Sequence, residues 1–181
     1  AGFCFGVSRA VELVQQAAAA GKRTLTLGPI IHNRHVVEQF AAAGVRVIDS
    51  PEEAGPGDTV VIRSHGVSRE VYKRLESTGA EIIDATCPFV KRIHGLVSQA
   101  EAEGRLPVII GTPTHPEVEG IAGWCGDCRI FDSADTLKKW VQEKEIGADT
   151  PICMVSQTTS TESLWKLCRN FAKKQFTNLK I

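Results

Sequence analysis

The sequence predicts an α/β fold built from two pseudo-repeated units, each containing a small parallel sheet. One observation is an internal repeat: an offset of 83 residues relates GPIIHNRHVV to GTPTHPEVEG and Cys4 to Cys87. A fixed period indicates that one supersecondary unit is used more than once. The other is the alternation of β-branched runs with segments of helical periodicity, which is typical of parallel strands joined by right-handed crossovers.

The first unit begins with a helix, because apolar residues recur at helical spacing from Val7 to about Ala20 and Gly21 ends the run. Since residue 1 stands close to Cys4, we expect a preceding strand to be missing from this chain. The later elements are short and bounded by Gly, Pro and Ser. They are predicted as strand Thr24–Leu27, helix Arg34–Ala43, strand Val45–Ile48, strand Thr59–Ile62, helix Ser68–Ser77 and strand Glu81–Ile83.

The second unit repeats this order after the loop that contains Cys87. Its predicted elements are helix Phe89–Glu103, strand Leu106–Ile110, helix Val118–Trp124, strand Arg129–Phe131, strand Ile152–Val155, helix Thr161–Lys173 and a strand within 178–181. The repeat resumes with an offset of 91, which implies an eight-residue insertion around Lys138 to Gly147. We assign 1–84 to the first unit, 85–177 to the second, and 178–181 to the start of a missing third unit.

Composition limits the class of protein. Of the 181 residues 43% are hydrophobic, enough for a real core, and 21 basic side chains balance 21 acidic ones. Because the net charge is zero, there is no overall electrostatic attraction to nucleic acid or to an anionic membrane, and we expect a small-molecule ligand. No apolar run approaches the ~20 residues of a membrane span, and no secretory signal is evident, so we expect a cytoplasmic protein. The six cysteines are then expected to be thiols or metal ligands.

The candidate site residues share one position, just after a predicted strand, where parallel sheets collect their ligands. They are Cys4, His32, His65, Cys87, His115, Glu117 and Thr158. A cysteine before a helix N-terminus is placed to be a thiolate, and two at equivalent repeat positions suit an iron–sulfur or zinc site.

His115 and Glu117 form the most specific candidate pair. A carboxyl group beside a histidine in a water-poor pocket can act as a general acid. The histidines after strands can bind phosphate, relay protons or ligate metal. The Thr158 hydroxyl can orient a substrate alcohol, or it can simply cap the end of its strand.

Other cysteines and histidines are interpreted as structural. Cys125 and Cys128 form a CxxC pair, but no second pair stands at zinc-finger spacing, so a zinc or thiol-redox protein is kept only as an alternative. The remaining residues fall within predicted secondary structure. Cys153 and Cys168 are expected in the core, and His35 and His94 on the surface.

Six segments together resemble a known family, in its order and spacing, across essentially the whole chain. They are GFCFGVSRAV, LGPIIHNRHVVEQ, IRSHGV, DATCPFVKRIH, GTPTHPEVEGI and SQTT. The chain resembles the LytB family of 4-hydroxy-3-methylbut-2-enyl diphosphate reductases. This resemblance implies a trefoil of three α/β units around a 4Fe-4S cluster held by one cysteine from each unit, with Cys4 and Cys87 as the first two.

The resemblance also implies roles for the other candidates. His32, His65 and His115 match residues that line the substrate diphosphate, Glu117 matches the proton donor, and Thr158 matches a residue at the hydroxyl end of the substrate. The implied reaction is a reductive dehydroxylation in which two electrons and two protons expel water. The products are isopentenyl and dimethylallyl diphosphate, and ferredoxin or flavodoxin supplies the electrons.

The sequence departs from the family pattern because the third cysteine, and the serine and asparagine residues of the diphosphate site, have no counterpart in it. If 181 residues are the whole molecule, we expect no reductase activity. The alternative function is then an inactive, diphosphate-binding fragment that lacks the third unit.

Overall fold

The computed structural model describes residues 3–31 and 33–181 and divides the chain into two compact units, Ala1–Lys91 and Arg92–Ile181. This division falls inside a helix, so the Cys87 loop belongs to the first unit. The boundary predicted after residue 84 and the assignment of 178–181 to a third unit stay predictions. None of the helices in the described part of the chain is long and apolar enough to cross a membrane.

The first unit is a four-stranded parallel sheet in the order β2-β1-β3-β4. Its elements are α1 (Phe5–Ala19), β1 (Arg23–Leu27), α2 (Arg34–Ala42), β2 (Arg46–Ile48), a single 3-10 turn (Pro51–Glu53), β3 (Asp58–Ile62), α3 (Arg69–Ser77) and β4 (Glu81–Asp84). Alternate residues of β3 enter two separate cores. Val61 packs against α1 and α2, whereas Val60 and Ile62 pack against α3.

The second unit repeats this topology with a sheet in the order β6-β5-β7-β8, again fully parallel. Its elements are α4 (Pro88–Ala102), β5 (Leu106–Ile110), α5 (Pro116–Ala122), β6 (Arg129–Phe131), α6 (Ala134–Glu143), β7 (Ile152–Ser156), α7 (Glu162–Gln175) and β8 (Leu179–Lys180). Helices α4 and α5 cover one face of the sheet, and α6 and α7 cover the other. The predicted α/β class with two small parallel sheets is therefore confirmed.

Strand register corrects the predicted offset of the later repeat. Leu25 lies opposite Val60 in the first sheet, and the equivalent Val108 lies opposite Met154 in the second. Equivalent residues of β3 and β7 are thus 94 positions apart, not 91, and the insertion is 11 residues long. It contains α6, a ten-residue helix that the sequence analysis did not assign, where the first unit has only the 3-10 turn.

Two further expectations have opposite outcomes. Cys153 and Cys168 are buried, as predicted. His35 is exposed, but His94 is only 4% exposed, so its assignment to the surface was wrong. The His94 ring stacks on Trp124 at a centroid distance of 5.1 Å, a contact between distant segments that helical periodicity does not reveal.

An ion pair joins the 3-10 turn to α3 and predicts a specific pH dependence. Arg74 donates two hydrogen bonds of 2.7 Å to Glu52, and these bonds are the main reason that the pKa of Glu52 falls from 4.5 to about 2. Because the pKa is lower in the folded state, this group stabilises the fold above its unfolded pKa, and the stabilisation is lost as pH falls toward 2.

We predict that Glu52→Gln flattens the pH dependence of the free energy of unfolding between about pH 4.5 and 2. The change removes a carboxylate whose protonation is suppressed by folding. Urea unfolding at a series of pH values measures it, and Glu76→Gln, which changes an exposed carboxylate on α3, is the control. Equal slopes for wild type and Glu52→Gln would contradict the prediction.

Candidate functional site

Loops at the carboxyl ends of the strands carry the candidate residues within each unit. In the first unit Leu27 lies opposite Ile62, which in turn lies opposite Asp84, so the loops that follow β1, β3 and β4 leave one edge together. In the second unit Ile110 lies opposite Ser156, which brings together the loops after β5 and β7. Parallel pairing therefore gathers side chains that are far apart in sequence.

Cys4 and Cys87 both lie next to helix N-termini in the first unit. Cys4 is the exposed N-cap residue of α1, and the half-buried Cys87 directly precedes Pro88, the first residue of α4. A Cβ atom added to Gly6 would lie 2.7 Å from the Cys87 Sγ atom. Since Gly6 is two residues from Cys4, Cα atoms at most ~7 Å apart, both cysteines lie around the first turn of α1.

The absence of a side chain at Gly6 lets the Cys87 sulfur contact the α1 backbone. Arg9, one turn farther along α1, donates hydrogen bonds of 3.3 Å to the Thr86 and Asp84 carbonyl oxygens. This helix therefore both accommodates the sulfur and holds the loop that carries it.

Asp84 shapes the same loop from the end of β4. Its Oδ1 accepts a hydrogen bond from the Thr86 backbone N–H at 3.0 Å, and its Oδ2 pairs with Lys91 at 2.6 Å. Burial opposes ionisation of this carboxyl group, but the bonds from Lys91 and Thr86 outweigh it and hold the pKa of Asp84 below its ordinary value. The Cys87 loop is thus supported by a charged aspartate.

His65 lies half-buried in the loop that follows β3, next to the Cys87 loop. The connection is direct, because the Cys87 backbone N–H donates to the Ser64 carbonyl oxygen at 2.9 Å. The loop after β1 lies on the other side: a Cβ atom on Gly28, whose φ is +71°, would be 2.9 Å from Arg63 Nη1. His32, predicted in that loop, lies outside the described residues.

Glu117 and Thr158 form the most sharply defined pair of the second unit. Glu117 is only 2% exposed, yet both of its carboxylate oxygens have donors. The Thr158 backbone N–H donates to Oε1 at 2.6 Å, and the Thr158 hydroxyl donates to Oε2 at 2.8 Å. The hydroxyl oxygen keeps acceptor capacity, so it can connect a buried carboxyl group to a ligand outside.

His115 is the N-cap residue of α5, which begins two residues earlier than predicted and includes Glu117 in its first turn. The Glu117 backbone N–H donates to His115 Nδ1 at 3.1 Å. When the ring is neutral, its proton is therefore on Nε2, which makes that atom a hydrogen-bond donor. His115 thus caps the helix through Nδ1, and the same contact leaves its Nε2–H group as a potential donor to an anion.

Gln157 is a supporting residue that the sequence analysis missed. Its Oε1 accepts from the Thr112 backbone N–H at 3.1 Å, and its Nε2 donates to Thr159 Oγ1 at 2.6 Å. A Cβ atom on Gly111 would lie 2.8 Å from the Gln157 Oε1 atom. Arg63 packs over Gly28 at the equivalent place in the first unit, so the repeated glycines were the available signal.

No described group of three or more His, Cys, Asp or Glu side chains is arranged to hold a metal ion. The described residues therefore do not add a third such side chain beside Cys4 and Cys87. The roles predicted for the seven candidate residues stay predictions.

Comparison with known protein families identifies relatives over the whole chain. A family model described as LytB protein matches residues 1–181. A 4-hydroxy-3-methylbut-2-enyl diphosphate reductase of Caldanaerobacter subterraneus subsp. tengcongensis is 43% identical over 171 residues, covering 92% of this chain and 57% of the relative. The reductase of Clostridium perfringens strain SM101 is 38% identical over 178 residues, covering 97% and 61%.

Solved structures with similar folds carry related names. A structure of (E)-4-hydroxy-3-methyl-but-2-enyl diphosphate reductase matches with a TM-score of 0.84 at 37% identity, covering 99% of this chain and 63% of that one. A diphosphate reductase structure from Plasmodium falciparum matches with a TM-score of 0.89 at 25% identity, covering 99% and 56%. The chain spans little more than half the length of most of these relatives.

The capping role of His115 predicts different effects for two substitutions. His115→Ala removes the acceptor for the Glu117 N–H and is expected to lower the free energy of unfolding by about 1 kcal/mol. His115→Asn keeps an N-cap acceptor and is expected to retain most of the wild-type stability. Urea unfolding of the two variants measures the difference, and an equal loss in both would argue against the cap.

Proposed function

Because the chain belongs to the LytB family, we propose that it carries part of the machinery that reduces 4-hydroxy-3-methylbut-2-enyl diphosphate. The substrate loses its hydroxyl group as water, with uptake of two electrons and two protons, to give isopentenyl or dimethylallyl diphosphate. The observation that carries this proposal is the link between buried Glu117 and Thr158, because a carboxyl group joined to a hydroxyl group can deliver a proton to a leaving hydroxyl group.

The two cysteines of the first unit are proposed as ligands of a 4Fe-4S cluster. The third thiolate is proposed to come from the third α/β unit that the family resemblance implies. The fit of the two cysteines is supported by the free thiols at adjacent helix N-termini and by the bare Gly6 backbone, which leaves room for Cys87 Sγ. When bound, the cluster supplies electrons to the substrate, and we propose that a ferredoxin or flavodoxin replenishes them.

Proton delivery is proposed to run from Glu117 through the Thr158 hydroxyl. The Thr158 hydroxyl oxygen lies 2.8 Å from Glu117 Oε2, so the hydroxyl group donates to an ionised carboxylate. Protonation of Oε2 reverses this hydrogen bond, so that Glu117 donates to Thr158 Oγ1 and Thr158 donates to the substrate oxygen. The second bond, from the Thr158 backbone N–H to Oε1, keeps the carboxyl group in position during this reversal.

The histidines are proposed to bind the diphosphate. Nε2 of His115 is the donor atom, because Nδ1 is occupied by the Glu117 N–H. His65 has a comparable position at the end of β3 in its own unit, and His32 is included from the sequence alone. Imidazole N–H groups donate hydrogen bonds to phosphate oxygens while leaving the carboxyl group free to move protons.

Cluster binding gives the first test of this function. After anaerobic reconstitution with iron and sulfide, we expect Cys4→Ser and Cys87→Ser to lose most of the bound iron and the visible absorption of the wild-type protein. Cys168→Ala is the control, since it removes a thiol buried in a separate core. Equal iron content per folded protein in all four proteins would refute the ligand assignment.

Proton transfer gives the second test. In cluster-loaded protein that also contains the unit proposed to supply the third thiolate, and that is given a chemical reductant, Glu117→Gln is expected to slow product formation by about 10²- to 10⁴-fold, because an amide cannot deliver the proton. Glu119→Gln, an exposed position on the same helix, is expected to match wild type. Product analysis by gas chromatography measures both rates.

Two outcomes would contradict the proposal. Unchanged turnover in Glu117→Gln would remove the residue from the reaction. Calorimetric binding of the allylic diphosphate by wild-type protein, without any turnover after cluster loading, would instead support a diphosphate-binding module.

A further inference from the structure

The turn between α5 and β6 contains two cysteines that the proposed function does not use. Cys125 and Cys128 are both free and half-buried, and only Gly126 and Asp127 separate them. The Cys125 Sγ atom donates to the Ala122 carbonyl oxygen at 3.5 Å, at the end of α5. Cys128 immediately precedes Arg129, the first residue of β6, so the pair spans the last four residues of the turn.

Contacts with α4 and within the turn hold this turn in one conformation. Glu101 accepts a hydrogen bond from the Gly126 backbone N–H, and a Cβ atom on Gly126 would lie 2.8 Å from the same carboxylate oxygen. Arg129 forms an ion pair with Asp127 and donates to the Cys128 carbonyl oxygen at 2.9 Å. The middle and the end of the turn are therefore both fixed.

The start of the turn is fixed by Trp124. Its ring stacks on His94 of α4 with an interplanar angle of 16°, and its carbonyl oxygen accepts from the Ser98 hydroxyl at 2.8 Å. The contacts of Trp124, Gly126 and Arg129 therefore hold the turn, and with it the two cysteines, in place without a disulfide bond.

The Cys125 S–H is shared between the Ala122 carbonyl oxygen and the Cys128 sulfur, and this makes the two sulfur atoms chemically different. The bond between the two sulfur atoms, together with burial, raises the pKa of Cys125, and the same bond is the main reason that the pKa of Cys128 is lowered. Arg129 also favours the Cys128 thiolate, whereas Asp127 and Glu101 oppose it. Cys128 is thus the nucleophile of the pair, and Cys125 retains its proton.

Thiol chemistry fits this pair better than metal binding. Among the residues that the structure describes, no third His, Cys, Asp or Glu side chain joins the two sulfur atoms in a ligand group. A structural zinc site needs four ligands, whereas a disulfide needs only two adjacent thiols.

We propose that Cys125 and Cys128 form a reversible dithiol–disulfide site that exchanges with small disulfides such as glutathione disulfide. The Cys128 thiolate attacks one sulfur of glutathione disulfide, forming a mixed disulfide and releasing one glutathione thiolate. Cys125 then loses its proton and attacks Cys128 Sγ, which releases the second glutathione. Two electrons pass from the protein dithiol to the glutathione disulfide, and the two thiol protons end on the two glutathiones.

The location gives the exchange a structural consequence. Oxidation covalently closes the turn at the end of the helix whose N-cap residue is His115 and whose first turn contains Glu117. The chemistry of the pair is nevertheless independent of the proposed reductase reaction and can be measured without substrate or cluster.

A tryptic peptide isolates the pair for the test. Cleavage after Arg105 and Arg129 releases residues 106–129, which contain Cys125 and Cys128 and no other cysteine. We expect treatment of the folded protein with glutathione disulfide to remove two hydrogen atoms from this peptide and to protect both thiols from iodoacetamide. Dithiothreitol is expected to reverse both changes.

Two variants distinguish the nucleophile from the resolving thiol. Cys125→Ser is expected to accumulate one glutathione on Cys128, whereas Cys128→Ser is expected to leave Cys125 unmodified over the same time. The proposal is overturned if the wild-type peptide keeps its thiols or retains bound glutathione, if either cysteine links to another part of the chain, or if the two variants show the reverse pattern. The wild-type measurement decides the proposal even where a variant fails to fold.

Discussion

Parallel pairing between strands is the constraint on which each candidate site depends. Because Ile110 lies opposite Ser156, the loops that follow β5 and β7 must leave the sheet at the same edge. Glu117 and Thr158, 41 positions apart, meet only for this reason. The same rule brings the Ser64 carbonyl oxygen to the Cys87 N–H in the first unit. A slip of register by one residue would turn every side chain of a strand to the other face and separate these partners.

Each unit supports its reactive groups with residues that do no chemistry themselves. Gln157 packs over Gly111 and bonds to Thr112 in the loop after β5 and to Thr159 in its own loop, and Arg63 packs over Gly28 at the equivalent place. Gly6 provides space for the Cys87 sulfur. Small residues thus leave room for larger polar side chains. Hydrogen-bond partners then hold those buried polar side chains in position. This arrangement fixes the geometry before any ligand arrives.

The sequence predicts the strands and most helices, because these depend on local periodicity and on turn residues. It does not predict α6, because an insertion interrupts the repeat there and no counterpart exists in the first unit. It misplaces His94, whose burial comes from stacking on Trp124 thirty residues away. The sequence also does not predict the supporting role of Gln157, since its hydrogen bond to Thr112 depends on the proximity of two loops. Features that depend on local sequence pattern are therefore predictable, whereas features that depend on long-range contacts are not.

The extra residues of the second unit enter β7 at its amino end, whereas Thr158 follows its carboxyl end. A strand of five residues separates the two by about 17 Å. Comparison of the two units shows that the architecture accepts a longer connection at this place without any change in strand order. The connection between α6 and β7 is accordingly a suitable position for a fluorescent label or an affinity tag, which can report on the protein while leaving its reactive edge clear.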